Sequence, residues 1–233
     1  MNLALVGYGK MGHMLERIAP EFGFDVKLIL DENNNTGGVG LTAQNFSGID
    51  AAIEFTAPSI AVANLLRLAE LKVPTACGTT GWLESLDQVR AAFESNAGTL
   101  VYSANFSIGV NIFRRVVSEA ARWMSRQPSY EAWAWEIHHS AKQDAPSGTL
   151  LRLVEDMRAA GYNQRIDVSS NRAGAHPGTH EIGFDSAADT LTMRHVARGR
   201  EGFAHGALQA ARWALAHKGV VEFAEILFSG DKE

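Results

Sequence analysis

Short apolar runs alternate with longer stretches of helical period through the first hundred residues. Leu3 to Gly7 reads as a strand and Met11 to Ala19 as a helix; Val26 to Asp31 and Ala51 to Phe55 follow as strands. Ser59 to Lys72 carries Ile60, Ala63, Leu66 and Leu68 on a mostly apolar helical face, with Ser59 after Pro58 as a plausible start. Val73 to Cys77, Leu86 to Asn96 and Thr99 to Ser103 then predict strand, helix and strand. Such alternation implies a parallel sheet covered by helices, with right-handed crossovers.

After about Asn105 the texture changes. A long helix is predicted from Gly109 to about Arg126, with Ile112, Val116, Ala120 and Trp123 at helical spacing. Strands then dominate: Ala132 to Ile137, and, after a helix over Thr149 to Ala160, Ile166 to Ser170, His180 to Phe184 and Thr190 to His195. The last three are expected to be antiparallel, giving a mixed sheet with one face free for a partner subunit. Phe203 to His217 returns to helix and is expected to pack on the first domain. The fold class is therefore α/β. It comprises a Rossmann-like dinucleotide-binding domain over residues 1–106 and 203–233 and a smaller α+β domain over 107–202, with a mixed, partly antiparallel sheet, for substrate binding and oligomerisation.

Composition narrows the function classes. The 233 residues are 46% hydrophobic and 20% charged, long enough to bury a real core and too apolar for disorder. A net charge of -5 argues against a nucleic-acid partner, which needs clustered cations. A single cysteine, Cys77, makes a reducing compartment the default and leaves no cysteine-based zinc cluster, so no metal is expected. The start lacks a basic, apolar leader and no apolar run approaches a membrane span, so a soluble, cytoplasmic protein is expected.

Gly7-Tyr8-Gly9-Lys10-Met11-Gly12 lies between a predicted strand and a predicted helix with the spacing of a dinucleotide-binding turn. Gly7 would permit the turn, Gly9 the approach of a pyrophosphate, and Gly12 close packing of helix on strand. Asp31 stands nineteen residues past Gly12, where a carboxylate would bind an adenosine ribose. The acidic run Asp31-Glu32 offers no arginine to a 2′-phosphate, although Lys10 could supply a charge; NADH is expected to be preferred, with some use of NADPH. Three further segments end predicted strands, where open parallel sheets bind ligands: Phe55-Thr56, Gly78-Thr79-Thr80 and Ser103-Ala104-Asn105-Phe106. Ordinary strand-end turns are the alternative for the first two, and the third lies at the domain junction.

Glu136 to Thr149 holds different chemistry. His138, His139 and Lys142 can offer protons or hydrogen bonds to carboxylates, and Pro146-Ser147-Gly148-Thr149 reads as a helix N-terminus, whose unpaired N–H groups favour negative charge. A small anionic substrate fits this block.

These motifs resemble the 4-hydroxy-tetrahydrodipicolinate reductase family, also called dihydrodipicolinate reductases, over nearly the whole chain. The resemblance rests on the glycine turn, Phe55-Thr56-Ala57-Pro58, Gly78 to Gly81, Ala104 to Asn111, His138 to Thr149, and later Arg172-Ala173-Gly174, Gly178-Thr179-His180 and Arg200 to Ala207. It implies NAD(P)H-dependent reduction of 4-hydroxy-tetrahydrodipicolinate, or dihydrodipicolinate, to tetrahydrodipicolinate in diaminopimelate and lysine biosynthesis. The cofactor domain would close over the substrate domain, and the family usually forms homotetramers. Carried over by motif, His138 and Lys142 resemble the catalytic pair. His139, Ser147, Gly148, Thr149 and Thr80 resemble contacts to a small dicarboxylate substrate. Gly7 to Gly12, Asp31, Phe55, Thr56, Gly78 to Thr80 and Ser103 to Phe106 resemble the cofactor site. The chain departs by a short connection after Asp31, by Glu32 where a number of relatives carry arginine, and by Ser140-Ala141 where some carry a third histidine.

Other features admit plainer readings. Trp123, Trp133 and Trp135 suit a core or an interface, and His176, His180 and His195 suit solvated or core histidines better than a metal site. Cys77 reads as a small buried residue. Arg172, Arg194, Arg198 and Arg200 remain unassigned anion contacts. An aspartate-type amino-acid dehydrogenase and a dinucleotide-sensing regulator are the rival functions; the first explains the histidine-lysine block less well, and the second lacks a basic DNA-binding helix.

Overall fold

The computed structural model describes residues 1–229, divided into two compact units: Met1–Ile108 with the segment from Arg200 onward, and Gly109–Gly199. In the first unit the strands are β1 (Asn2–Val6), β2 (Asp25–Leu30), β3 (Ala51–Glu54), β4 (Thr75–Cys77) and β5 (Thr99–Tyr102). Helices α1 (Lys10–Ile18), α2 (Pro58–Glu70) and α3 (Leu86–Ser95) alternate with them. In the second unit, α4 (Ile108–Met124), which begins at the unit boundary, precedes β6 (Glu131–His138), α5 (Gly148–Ala159), β7 (Ile166–Arg172), β8 (Thr179–Asp185) and β9 (Thr190–Val196). The chain then returns to the first unit through α6 (Glu201–Ala214), β10 (Gly219–Glu222) and α7 (Phe223–Leu227).

The first sheet is wholly parallel, in the order β10-β5-β4-β3-β1-β2. Near-continuous apolar strands explain why: Ala4, Leu5 and Val6, like Ala51, Ala52 and Ile53, are buried on both faces, which only a sheet covered by helices allows. Strand order reverses beside β1, with β2 on one side and β3 on the other, so the turns after β1 and β3 flank the switch point where such sheets bind ligands. The small residues Ala204, Ala207, Ala210, Ala211 and Ala214 bury one face of α6 in this core. β10 and α7 are absent from the sequence reading because Gly219–Glu222 is too short to show a period; parallel pairing with β5 defines it.

The second sheet runs β7-β6-β8-β9. The expectation of three consecutive antiparallel strands needs correction. β8 and β9 do pair antiparallel, but β6 is inserted between β7 and β8, pairing parallel with the first and antiparallel with the second. The twelve-residue helix α5 carries the chain across, the type of connection a parallel pair requires. Period-2 alternation sends Ala132, Ala134, Glu136 and His138 to the buried face and leaves Trp133 and Trp135 on the other. Beneath the buried face Phe113, Val117 and Ala121 of α4 and Leu150, Leu153 and Met157 of α5 form the core with Ile182 and Phe184.

Candidate functional site

The turn after β1 follows from its glycines. Gly7 has φ +101°, and a Cβ there would lie 1.9 Å from the Phe55 carbonyl oxygen, so no other residue fits. A Cβ on Gly12 would lie 2.6 Å from the Gly7 carbonyl oxygen, which explains how α1 can start so close to the strand. Gly9, the residue before α1, is exposed and nothing lies within 4 Å of where its Cβ would be. That bare approach, beside a helix N-terminus with no side-chain cap, suits a pyrophosphate. Lys10 is exposed beside it, Met11 packs partly on the core, and the Tyr8 hydroxyl donates to Glu16.

Asp31 ends the strand-to-loop segment after β2. Its Oδ1 accepts from the backbone N–H of Asn33 at 2.8 Å and of Asn34 at 3.3 Å, and its Oδ2 from Asn33 Nδ2 at 3.2 Å. These bonds hold the carboxyl below its ordinary pKa and fix its direction, while an ionised carboxylate retains capacity for further donors.

The three strand-end segments are tied together. The Thr56 N–H donates to Thr79 Oγ1 at 2.7 Å, and Trp82 Nε1 to the Thr79 carbonyl at 2.8 Å, so Thr79 is buried while Thr80 is exposed. A Cβ on Gly78 would meet the Phe55 ring at 2.1 Å. Ser103 Oγ accepts from the Asn105 N–H at 3.1 Å, Asn105 Oδ1 from the Ser107 N–H at 2.9 Å, and Ala104 is exposed. Phe106 is 1% exposed, its ring 5.0 Å from that of Phe223 and its carbonyl oxygen packed against Gly206. Beneath these turns lies a group the sequence reading missed. Glu54 is fully buried, accepting from Thr56 Oγ1, from Asn64 Nδ2 at 3.4 Å and from Cys77 Sγ at 3.1 Å. Burial, then the adjacent Glu54, pushes the Cys77 thiol well above its ordinary pKa, which agrees with an inert buried thiol.

The second unit brings the histidine-lysine block against a buried carboxylate. Register places Glu136 of β6 beside His180 of β8 and Ser170 of β7 on one face, with His195 of β9 beyond His180. Glu136 Oε1 accepts from the Ser147 N–H and from Arg172 Nη2, both at 2.8 Å; Oε2 accepts from the Ser147 hydroxyl and lies 3.3 Å from His180 Nε2. Burial favours a protonated Glu136, but His180, Ser147 and Arg172 outweigh it and hold the carboxyl far below its ordinary range. His138 Nδ1 lies 3.5 Å from the same Oε2, an ion-pair distance rather than a tight hydrogen bond. Burial lowers the His138 pKa to about 4; Glu136 opposes the shift, while His180, Lys142 and Arg172 reinforce it. The imidazole is therefore neutral near pH 7.

From His138 the chain leaves β6 into a loop held by the Ala173 N–H to the His138 carbonyl at 2.9 Å and the Ser140 N–H to the Gly174 carbonyl at 3.0 Å. His139 is half-buried in that loop, and Lys142 Nζ pairs with Asp144 Oδ1 at 2.7 Å. Ser147 caps α5 by accepting from the Leu150 N–H at 3.2 Å. Ser147, expected as a substrate contact, directs both its N–H and its hydroxyl at Glu136 and is 2% exposed. Gly148 is exposed and Thr149 half-buried in the first helical turn, with open space where a Gly148 Cβ would be.

Arg172, unassigned by sequence, belongs to this cluster through Glu136 and the Asp144 carbonyl, and His180 is a buried partner rather than a surface histidine. Glu136 was legible as the residue two before His138 on a strand, hence on the same face; His180 needed the register. Nitrogen and oxygen atoms of Glu136, His138 and His180 lie within 4.8 Å of one another, as metal ligands would. The Arg172 guanidinium already neutralises that carboxylate, and a cation would have to compete with it.

Two family models cover the chain: "Dihydrodipicolinate reductase, N-terminus" over residues 1–106 and "Dihydrodipicolinate reductase, C-terminus" over 109–227. The 4-hydroxy-tetrahydrodipicolinate reductase of Christiangramia forsetii is 31% identical over 238 residues, covering 97% of this chain and 98% of the relative. That of Rhodopseudomonas palustris strain TIE-1 is 31% identical over 270 residues, covering 99% and 98%. A dipicolinate-bound dihydrodipicolinate reductase from Paenisporosarcina sp. TG-14 shares the fold at TM-score 0.79 and 20% identity, over 95% of this chain and 97% of that one. With both halves matched and relatives aligned from end to end, the chain belongs to the dihydrodipicolinate reductase family.

Proposed function

We propose that the protein reduces 4-hydroxy-tetrahydrodipicolinate, or the dihydrodipicolinate derived from it by loss of water, to tetrahydrodipicolinate in diaminopimelate and lysine biosynthesis, with NAD(P)H as reductant. The observation that carries the reading is the placement of His138, Lys142 and the N-terminus of α5 on one short segment of the second unit, close enough for Lys142 to lower the His138 pKa. A dicarboxylate ring needs several cationic or N–H-rich contacts, and this segment supplies them.

The reduced nicotinamide supplies a hydride to an electron-poor ring carbon. The ring must then take up one proton, and His138 and Lys142 are the groups proposed to deliver and exchange it. His138 starts neutral; two arriving carboxylates raise its affinity for a proton, so substrate brings the acid into being. Lys142 exchanges Asp144 for the substrate, His139 contacts a carboxylate, and Gly148 with Thr149 clamps it by backbone and hydroxyl. In the first unit, Gly7 to Gly12 hold the pyrophosphate and Asp31 the ribose. The turns at Phe55-Thr56, Gly78 to Thr80 and Ser103 to Phe106 hold the nicotinamide end, with Thr80 also meeting substrate. The fixed Asp31 carboxylate followed by Glu32, with no arginine, favours NADH over NADPH. The uncovered sheet face bearing Trp133 and Trp135 is proposed as the surface of a homotetramer, and the cytoplasm as the location, in keeping with one buried free cysteine. Among the described residues no helix is long and apolar enough to cross a membrane.

The test is oxidation of NADH with freshly generated substrate, run beside oxaloacetate plus ammonia. Turnover with the second mixture alone would sink the proposal in favour of an amino-acid dehydrogenase, and turnover with neither would favour a sensor. His138→Gln and Lys142→Ala are expected to lower kcat at least tenfold while cofactor Kd stays within about twofold.

A further inference from the structure

No step of the proposed chemistry uses the cluster behind His138. Glu136 is fully buried. Its two oxygens are divided between structures that the reaction would use separately. Ser147, through N–H and hydroxyl, joins it to the cap of α5, the proposed carboxylate cradle. Arg172 joins it to the Asp144 carbonyl, and so to the loop that carries Lys142. The remaining direction of Oε2 faces two imidazoles, His138 Nδ1 at 3.5 Å and His180 Nε2 at 3.3 Å, their rings 5.1 Å apart and nearly perpendicular.

His138 Nδ1 is buried with no hydrogen-bond partner among the described residues, and the Glu136 carboxylate stands 3.5 Å from it. A neutral imidazole carries one N–H, and the nitrogen facing a carboxylate is the one that keeps it. The other nitrogen, Nε2, lies against Gly178, where φ is +142° and a Cβ would come within 3.0 Å. Only a glycine at this position leaves the ring its room.

We propose that Glu136 is a positioning residue: it holds His138 with the proton on Nδ1 and Nε2 open for proton transfer, and through Ser147 it fixes the start of α5 to the same carboxylate, so that acid/base and anion cradle move as one body. His180 is the second imidazole on this carboxylate, and Arg172 balances its charge. Lys142 and Asp144 stand on the loop side, and His195 lies one strand further. The inference rests on the reading of His138 as the acid/base, but its structural half can be measured without activity.

Glu136→Gln keeps the shape and loses the acceptor. Nitrogen-15 spectra of the imidazoles in the whole protein report which nitrogen of His138 is protonated. The native protein is expected to show the Nδ1–H form, and the variant a mixture or the Nε2–H form. Its kcat should fall about a hundredfold, since a histidine in the wrong tautomer cannot act, while Kd for NADH changes less than about twofold. A folded variant with unchanged tautomer overturns the proposal, as does one whose tautomer changes but whose kcat stays within about threefold while His138→Gln is inactive. If His138→Gln itself keeps full kcat, the acid/base reading fails, and the tautomer spectrum still decides what Glu136 holds. Should the glutamine variant not fold, Glu136→Asp keeps the charge but withdraws it by one methylene, and the same two readouts apply with the same overturning results.

Discussion

Acidification should weaken the second unit through His138 in a way that one substitution removes. In the unfolded chain this histidine titrates near 6.5; buried beside Arg172, His180 and Lys142 it titrates near 4. Between those values the unfolded chain binds a proton that the folded one refuses, so stability rises with pH across the window. The contribution is fully present above about pH 6.5 and is lost as pH falls toward 4. Each pH unit inside the window is worth up to about 1.4 kcal/mol, so going from pH 7 to 4.5 should cost roughly 2 kcal/mol on this account. His195, whose pKa burial also lowers, adds to the same trend but does so in any variant that retains it. The comparison is therefore between the native protein and His138→Gln, by urea unfolding at pH 7 and 4.5, read from amide signals of β6 and β8 so that the second unit is followed by itself. The native protein should lose roughly 2 kcal/mol more than the variant. Equal losses would refute the claim that burial keeps this imidazole neutral, and with it the proposal that substrate carboxylates bring its proton.

Four further outcomes follow. Binding of pyridine-2,6-dicarboxylate at pH 7 should be accompanied by uptake of up to one proton per site in calorimetry across buffers of different ionisation enthalpy, reduced in His138→Gln; no buffer dependence would contradict the role given to the neutral imidazole. Gly78→Ala places a methyl 2.1 Å from the Phe55 ring and should cost about 1–3 kcal/mol of stability and weaken NADH binding, against no change if that ring moves freely. Glu32→Arg should raise kcat/KM for NADPH relative to NADH at least tenfold, because it supplies the cation missing after Asp31; an unchanged ratio would disconnect this loop from cofactor choice. Arg114 pairs with Asp156 through two hydrogen bonds, 2.7 and 3.1 Å, tying α4 to α5; Asp156→Ala should lower stability by about 2–3 kcal/mol with kcat little changed, as read by urea unfolding and steady-state rates.

Much of the first unit was legible because its signals are local. A glycine turn between an apolar strand and an amphipathic helix needs only neighbours in sequence, and the short contact of Gly12 with the Gly7 carbonyl follows from that spacing, although the contact that requires Gly7 comes from Phe55. Phe55 and Gly78 could be placed at strand ends, yet the reason for the glycine, an aromatic ring from the neighbouring strand end, lies twenty-three residues away. Glu54 was passed over because an acid inside an apolar strand looks like an exposed edge until Thr56, Asn64 and Cys77 are seen around it. In the second unit the error over strand pairing had one cause: alternation marks a strand and its faces but carries no record of which neighbour it pairs with.

The sequence by itself determined the class of fold, the glycine turn between β1 and α1, and the loop that gathers His138, His139, Lys142 and the start of α5, because each depends on period, spacing or residue type within a few positions. Tertiary structure decided how that loop is electrically prepared. Insertion of β6 between β7 and β8 brought Arg172 and His180 to Glu136, and burial in that cluster left His138 neutral. A proton's position depends on burial and on charges a few ångströms away, and strand register, not sequence distance, sets which charges those are.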